Sequence, residues 1–219
     1  MKITVSKENY LKAIAEAQAQ GETVIAATLA RWLKVSAPAV TMAIRRLKRD
    51  GFIDVARQGQ ITLTAEGRKI ADRILFRHHL IERMLVEIFG MEWYKVHDEA
   101  ERLEHVVSED FEQLLITKLG EGPLCPHGND SETVSPETLR TRGWTTLAEA
   151  GDRAQVKVVS VYERDRQLLE YLDGLSVHPG ARIEMVGKNY DDTITFRVGG
   201  KPVQLGEAVA RKVWVEAVA

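Results

Sequence analysis

The chain has 219 residues, 44% of them hydrophobic and 28% charged, with one cysteine and a net charge of −2. This is the make-up of an ordinary globular protein of one to three domains; a lone Cys125 excludes an internal disulfide and suits a reducing compartment, and no apolar run is long enough to cross a bilayer. The opening Met1-Lys-Ile-Thr-Val-Ser-Lys-Glu lacks the apolar core of a signal peptide, so the expectation is a cytoplasmic protein with no membrane contact. The charge is unevenly spread. Residues 1–75 carry 13 Lys and Arg against 7 Asp and Glu, a net of +6, which leaves −8 on the remainder. A basic front on an acidic body predicts a polyanionic partner at the N-terminal end.

Residues 6–20 read as a helix with Tyr10, Leu11, Ile14 and Ala15 inward and Ser6 as its cap; Gly21 stops it. A second helix spans about 25–34, with Ile25, Leu29 and Leu33 inward. A third runs from Ala37 to Asp50, with Ser36 before it and Pro38 in its first turn, where a missing N–H costs little. Its buried side is Val40, Ile44 and Leu47, and its other side carries Thr41, Arg45, Arg46, Lys48 and Arg49. Two short strands, 51–56 and 61–64, flank the turn Arg57-Gln-Gly-Gln. Three helices and a hairpin predict a winged helix-turn-helix in which the third helix enters the major groove of double-stranded DNA. Ser36, Pro38, Thr41 and Met42 would lie near base edges, and Arg46 and Arg49 near phosphates.

Thr64 starts a long helix to about Phe89 that carries His78 and Glu82 at i, i+4. Residues 97–105 read as another helix. His97, Glu101, Glu104 and His105 then fall on one stripe, where two imidazoles and two carboxylates could hold a divalent ion. A solvated charged face has the same spacing. Ser108 caps a further helix. The apolar faces of 68–119 exceed what these helices bury among themselves, which predicts a two-fold homodimer. Residues 120–134 form a loop in which Cys125 and His127, set between prolines and a glycine, can point at one ion. Residues 135–150 read as a linker, and from about 151 the period changes to two. Short strands with Gly turns predict a small, partly open β-barrel. The whole is multidomain α+β: a winged helix-turn-helix over 1–75, an all-α dimerisation and metal-binding domain over 76–145, and an SH3-like barrel over 146–219.

Four pieces in this order resemble the DtxR/MntR family of metal-dependent repressors: Ser36-Ala-Pro-Ala-Val-Thr, Arg77-His-His-Leu-Ile-Glu-Arg, Lys95-Val-His-Asp-Glu-Ala-Glu-Arg-Leu-Glu-His and Cys125-Pro-His-Gly-Asn. The C-terminal segment is similar to the family's SH3-like, FeoA-type domain. The resemblance implies two metal sites. One would use His78, Glu82 and His97, with Cys125 and His127 from the loop and either Glu163 or Asp165 from the C-terminal domain. The other would use Glu101, Glu104 and His105, with Asn9 where manganese-type members have an acid. Glu101 in place of the cysteine of iron-type members implies Mn²⁺; Cys125, a soft ligand, keeps Fe²⁺ and Zn²⁺ open. Lys12 stands where some members add a second acid. If its ammonium faces the second site, that site is the weaker one; otherwise Asn9 alone completes it.

The function so implied is a metal-activated transcriptional repressor of metal-uptake and homeostasis genes, and no enzyme. The alternative is a winged-helix regulator that senses Fe²⁺ or an organic ligand through its C-terminal domain. A zinc protease would need His-Glu-x-x-His, and a ferritin-like centre paired Glu-x-x-His; neither is present.

Overall fold

The structure, a computed structural model, describes residues 3–120, 125–130 and 133–218. Part of the predicted 120–134 loop, residues 121–124 and 131–132, lies outside the described residues. Helices α1 (Val5–Ala19), α2 (Ala26–Leu33) and α3 (Ala37–Arg49) precede a hairpin of β1 (Ile53–Val55) and β2 (Ile61–Leu63). The cap of α1 is Thr4 rather than Ser6, because the chain turns helical one residue earlier than the apolar period shows. Ile25 is exposed, not inward: it holds the extended cap position before α2, and Val24 fills the core in its place.

The long α4 (Ala65–Glu87) follows the hairpin directly. Thr64 Oγ1 accepts from Gly67 N and donates to Gly51 O, tying the first turn to the hairpin. Gly67 is required there, since a Cβ would stand 2.0 Å from Phe52 O. α5 (Val96–Leu103) and α6 (Glu109–Leu119) pack on α4, with Ser108 capping α6 through Phe111 N. α5 is shorter than the 97–105 reading. Leu103 is its last residue, Glu104 caps it, and His105 lies in the turn beyond.

The C-terminal part is a six-stranded antiparallel sheet in the order β3-β8-β4-β5-β6-β7, the SH3-like architecture expected. Its strands are β3 (Trp144–Thr146), β4 (Gln155–Val161), β5 (Arg182–Lys188), β6 (Thr193–Val198), β7 (Lys201–Gly206) and β8 (Val213–Ala217). The short helices α7 (Pro136–Thr141), α8 (Arg166–Gly174) and α9 (Glu207–Ala210) complete it. Residues 144–146 are therefore an edge strand rather than linker; three residues are too few to display a period of two. Bulges at Val158/Ser160 and Met185/Gly187 increase the local twist.

The buried side chains form one cluster around Leu11, Ile14 and Leu75, a second around Ile81, Val96 and Leu115, and a third around Val158, Leu169 and Phe196. Trp93, before α5, packs against the third cluster and donates to Asp173 Oδ1 at 2.7 Å. Arg164, just after β4, reaches Glu16 of α1 at 2.6 Å. The sheet is thus braced against both helical parts, and the residues that could hold an ion lie at this junction.

Candidate metal centre

Glu82 is the centre of the arrangement, fully buried on α4. Its Oε1 is 2.9 Å from His78 Nε2 and 3.2 Å from His97 Nδ1, and these two ring nitrogens are 3.0 Å apart. Its Oε2 faces the other way. There His127 Nδ1 stands at 3.4 Å from Glu82 Oε2 and 3.6 Å from Glu163 Oε2. The Cys125 thiol is 3.6 Å from Glu163 Oε2. His79 Nε2 is 3.7 Å from Glu163 Oε1, an ionic contact too long for a hydrogen bond. Among the described residues, donor atoms gather closely enough to share an ion in two groups: His78, Glu82 and His97, and His79, Glu82, Cys125 and Glu163. Glu82 belongs to both.

Local structure explains how the loop donors Cys125 and His127 arrive. Gly128 holds a φ of +82°, and a Cβ there would stand 1.9 Å from Val159 O, so only glycine lets this turn lie against β4. Val161 N donates to His127 O and Cys125 N to Asn129 O, and His127 Nε2 meets Trp93 O at 2.9 Å. Asn129 Nδ2 donates to Glu163 Oε2 at 2.6 Å, which orients that carboxylate. Of the two acidic candidates after β4, Glu163 reaches the cluster. Asp165 does not: it caps α8 by accepting from Leu168 N and leans to Lys212 at 3.6 Å.

The charges are strongly coupled. Burial pushes Glu82 up, but His127 and His78 outweigh it and hold the carboxyl well below the usual range. Burial works against a charged His97, yet hydrogen bonds to Glu101 and Glu82 raise it to about 10. His79 is likewise opposed by burial and raised by Glu163. Burial, with Glu82 and Glu163 beside it, drives the Cys125 thiol well above its ordinary value. Without an ion the pocket therefore keeps Glu82 charged and the protons of His97, His79 and Cys125 in place. Glu82 Oε2 and both His79 nitrogens are buried with no hydrogen-bond partner among the described residues. Unpaired buried polar atoms are costly, and here they converge with a thiol, imidazoles and carboxylates. That donor set suits a divalent transition ion.

The second predicted set is not gathered in this way. Glu104 Oε1 meets His105 Nε2 at 3.3 Å, but His105 Nδ1 turns to Glu8 at 2.9 Å. Glu101 Oε1 lies between His97 at 3.6 Å and Arg164 at 3.4 Å. Asn9 lines a cleft of about 460 Å³ with Lys12, Glu101 and Glu104. Lys12 faces inward: Nζ is 2.7 Å from Glu104 Oε2 and 3.0 Å from His78 Nδ1. Burial disfavours this ammonium, but Glu16, Glu104 and Glu101 raise its pKa and keep it charged.

The N-terminal part presents Ser36, Pro38, Thr41, Met42, Arg46 and Arg49 on the exposed side of α3. Arg49 Nε also donates to Asp50 Oδ1 at 2.9 Å. Residues 2–61 match the iron dependent repressor N-terminal DNA binding domain, and 64–133 the iron dependent repressor metal binding and dimerisation domain. Residues 145–217 match the FeoA domain.

The chain belongs to the DtxR family of metal-dependent transcriptional repressors.

It is similar to the iron-dependent repressor IdeR of Mycobacterium tuberculosis, 39% identical over 222 residues that cover 96% of both chains. The diphtheria toxin repressor of Corynebacterium diphtheriae is 31% identical over 95% of this chain and 96% of its own. A solved manganese-dependent transcriptional repressor in complex with manganese superposes with a TM-score of 0.86 at 30% identity, covering 97% of this chain and 100% of that one. Members of the family bind DNA and a divalent metal and are not enzymes. Two side chains in contact with these clusters escaped the sequence reading. His79 was missed although His79 and Glu82, at i, i+3, also share a helix face; Glu8 has no signal in the sequence apart from its place in α1.

Proposed function

We propose that this repressor is a homodimer activated by Mn²⁺, with Fe²⁺ as the alternative ion, and that it controls genes of metal uptake. The observation that carries the metal reading is Glu82 Oε2, buried without a hydrogen bond among Cys125, His127, Glu163 and His79. His78, Glu82 and His97, joined by Cys125, His127 and Glu163, would hold the ion, and its positive charge would compensate the buried carboxylates. Those residues come from α4, α5, the loop and the edge of β4. Holding them together fixes α4, which continues directly from the hairpin, and so the bearing of α3. Two such helices in a dimer must be set about one DNA turn apart to meet two half-sites. Carboxylates and imidazoles suit Mn²⁺, while the thiol allows Fe²⁺ and Zn²⁺ to bind in vitro. The test is binding of full-length protein to fragments of its own promoter region, read by fluorescence anisotropy. Affinity should rise with Mn²⁺ or Fe²⁺ and vanish with chelator; equal binding with and without metal would overturn the reading.

For the DNA face, Ser36, Pro38, Thr41 and Met42 are assigned to base edges and Arg46 and Arg49 to phosphates. Arg46→Ala is expected to weaken binding to specific and random DNA alike and to reduce the slope of log K against log salt by about one unit. An unchanged slope would move the phosphate contact elsewhere.

The homodimer reading rests on exposed apolar side chains. Ile88, Phe89, Val106, Phe111 and Leu114 are exposed on and around α4 to α6, Val106 at 75% and Leu114 at 65%. Burying one leucine contributes roughly 1.5–3 kcal/mol. Leu114→Glu should therefore raise the dimer dissociation constant at least about tenfold in sedimentation equilibrium. A wild-type monomer at micromolar concentration with metal present would contradict the assembly.

A further inference from the structure

We propose that the Lys12 ammonium is a resident cation in the second metal position, so that Glu101, Glu104, His105 and Asn9 hold no divalent ion and Glu82 anchors the chain's single metal centre. The resemblance implied a second ion at these residues, and their arrangement does not fit one. Lys12 Nζ lies 2.7 Å from Glu104 Oε2 and 3.0 Å from His78 Nδ1, and the residue is only 3% exposed. It takes the Glu104 oxygen that an ion would need. The other donors are committed too: Glu104 Oε1 and Glu8 to His105, and Glu101 to His97 and Arg164. Among the described residues, neither group close enough to share an ion contains Glu101, Glu104 or His105.

A divalent ion entering here would face a fixed positive charge at contact distance. Asn9 offers only a neutral carbonyl oxygen in compensation. Expelling the lysine side chain would break its buried ion pair with Glu104, whose Oε2 also meets His78 Nδ1 at 2.6 Å. The ammonium also performs a structural task. Lys12 is on α1, His78 on α4, and Glu104 caps α5, so one side chain joins the three elements that the second ion would have joined. The link between the DNA-binding part and the dimerisation helices at this point is therefore permanent, and metal response is left to the Glu82 centre. This inference rests on the reading of Glu82 as that centre.

The test uses the full-length protein and Mn²⁺. Anomalous scattering from wild-type crystals soaked in Mn²⁺ should show no peak within bonding distance of Glu104 or His105; a peak there overturns the proposal. Equilibrium dialysis should find that Lys12→Glu binds one more Mn²⁺ per protomer than wild type. The same count in both would also overturn it, provided the variant keeps the wild-type circular dichroism. If that variant does not fold, the wild-type map decides alone. Glu82→Gln placed in the Lys12→Glu background separates the two readings. Loss of the wild-type ions with retention of the additional one supports both. If wild type binds no Mn²⁺ while Lys12→Glu binds one, the Glu82 centre fails and the role of Lys12 stands.

Discussion

Glu82→Gln is expected to abolish metal-dependent operator binding at ion concentrations that saturate the wild type. The side chain keeps its size, so the effect is one of charge and donor strength. Glu82 is the residue common to both donor groups. Changing a residue that merely orients a ligand costs 10–100-fold in metal affinity, so loss of a shared direct ligand should reach at least the upper end, about 100-fold. Asp165→Asn is the contrasting variant. Asp165 accepts from Leu168 N at the start of α8 and stands outside both groups. It should cost stability of about 1 kcal/mol or less and leave metal affinity unchanged. Isothermal titration of both proteins checks this. Equal losses in the two variants, or none in Glu82→Gln, would mean that the ion sits elsewhere.

The second large effect is a steep dependence on pH. Hydrogen bonds to Glu101 and Glu82 overcome burial and raise His97 to about 10. Burial and nearby carboxylates raise the Cys125 thiol well above its usual value. At neutral pH both therefore carry their protons in the metal-free protein. Ligation requires neutral imidazole and thiolate, so uptake must expel those protons. Glu82 and Glu163 are both held below the usual carboxylate range, stay ionised across neutral pH and contribute no proton. The sign follows: affinity rises with pH, by about tenfold per unit for each proton released, for as long as those groups hold their protons in the metal-free protein. Release of two protons gives about a hundredfold gain per pH unit. Calorimetry in buffers of different ionisation enthalpy counts the protons directly. Affinity constant between pH 6.5 and 8 would show that the ligands are already deprotonated.

The chain's organisation was legible in the sequence because it rests on short-range patterns. The hairpin after a basic helix, the Thr64 and Ser108 caps, and the change from helical to period-two spacing near residue 151 all describe local preferences. His78 with Glu82, and His97 with Glu101, stood out because i, i+4 spacing on one helix places side chains together regardless of what surrounds it. The remaining features depend on contacts distant along the chain. Glu163 and Asp165 are two residues apart, and only the close seat of Gly128 against β4 and the amide of Asn129 favour the first. Ile25 is hydrophobic and in phase, yet it falls at the extended residue before α2, which sends it outward. The stripe of 97–105 was read as one continuous helix, but α5 stops at Leu103, so His105 turns toward α1 and meets Glu8. The sequence left Lys12 with two orientations, and it took the packing of α1 on α4 to place its ammonium beside Glu104 and His78.

The most direct measurement of the central claim is anomalous diffraction at the manganese edge from full-length protein crystallised with Mn²⁺ and operator DNA. The account predicts density within bonding distance of the Glu82 carboxylate, with ligands from Cys125, His127 and Glu163 or from His78 and His97. Operator-bound protein whose Mn²⁺ makes no bond to Glu82 would contradict it.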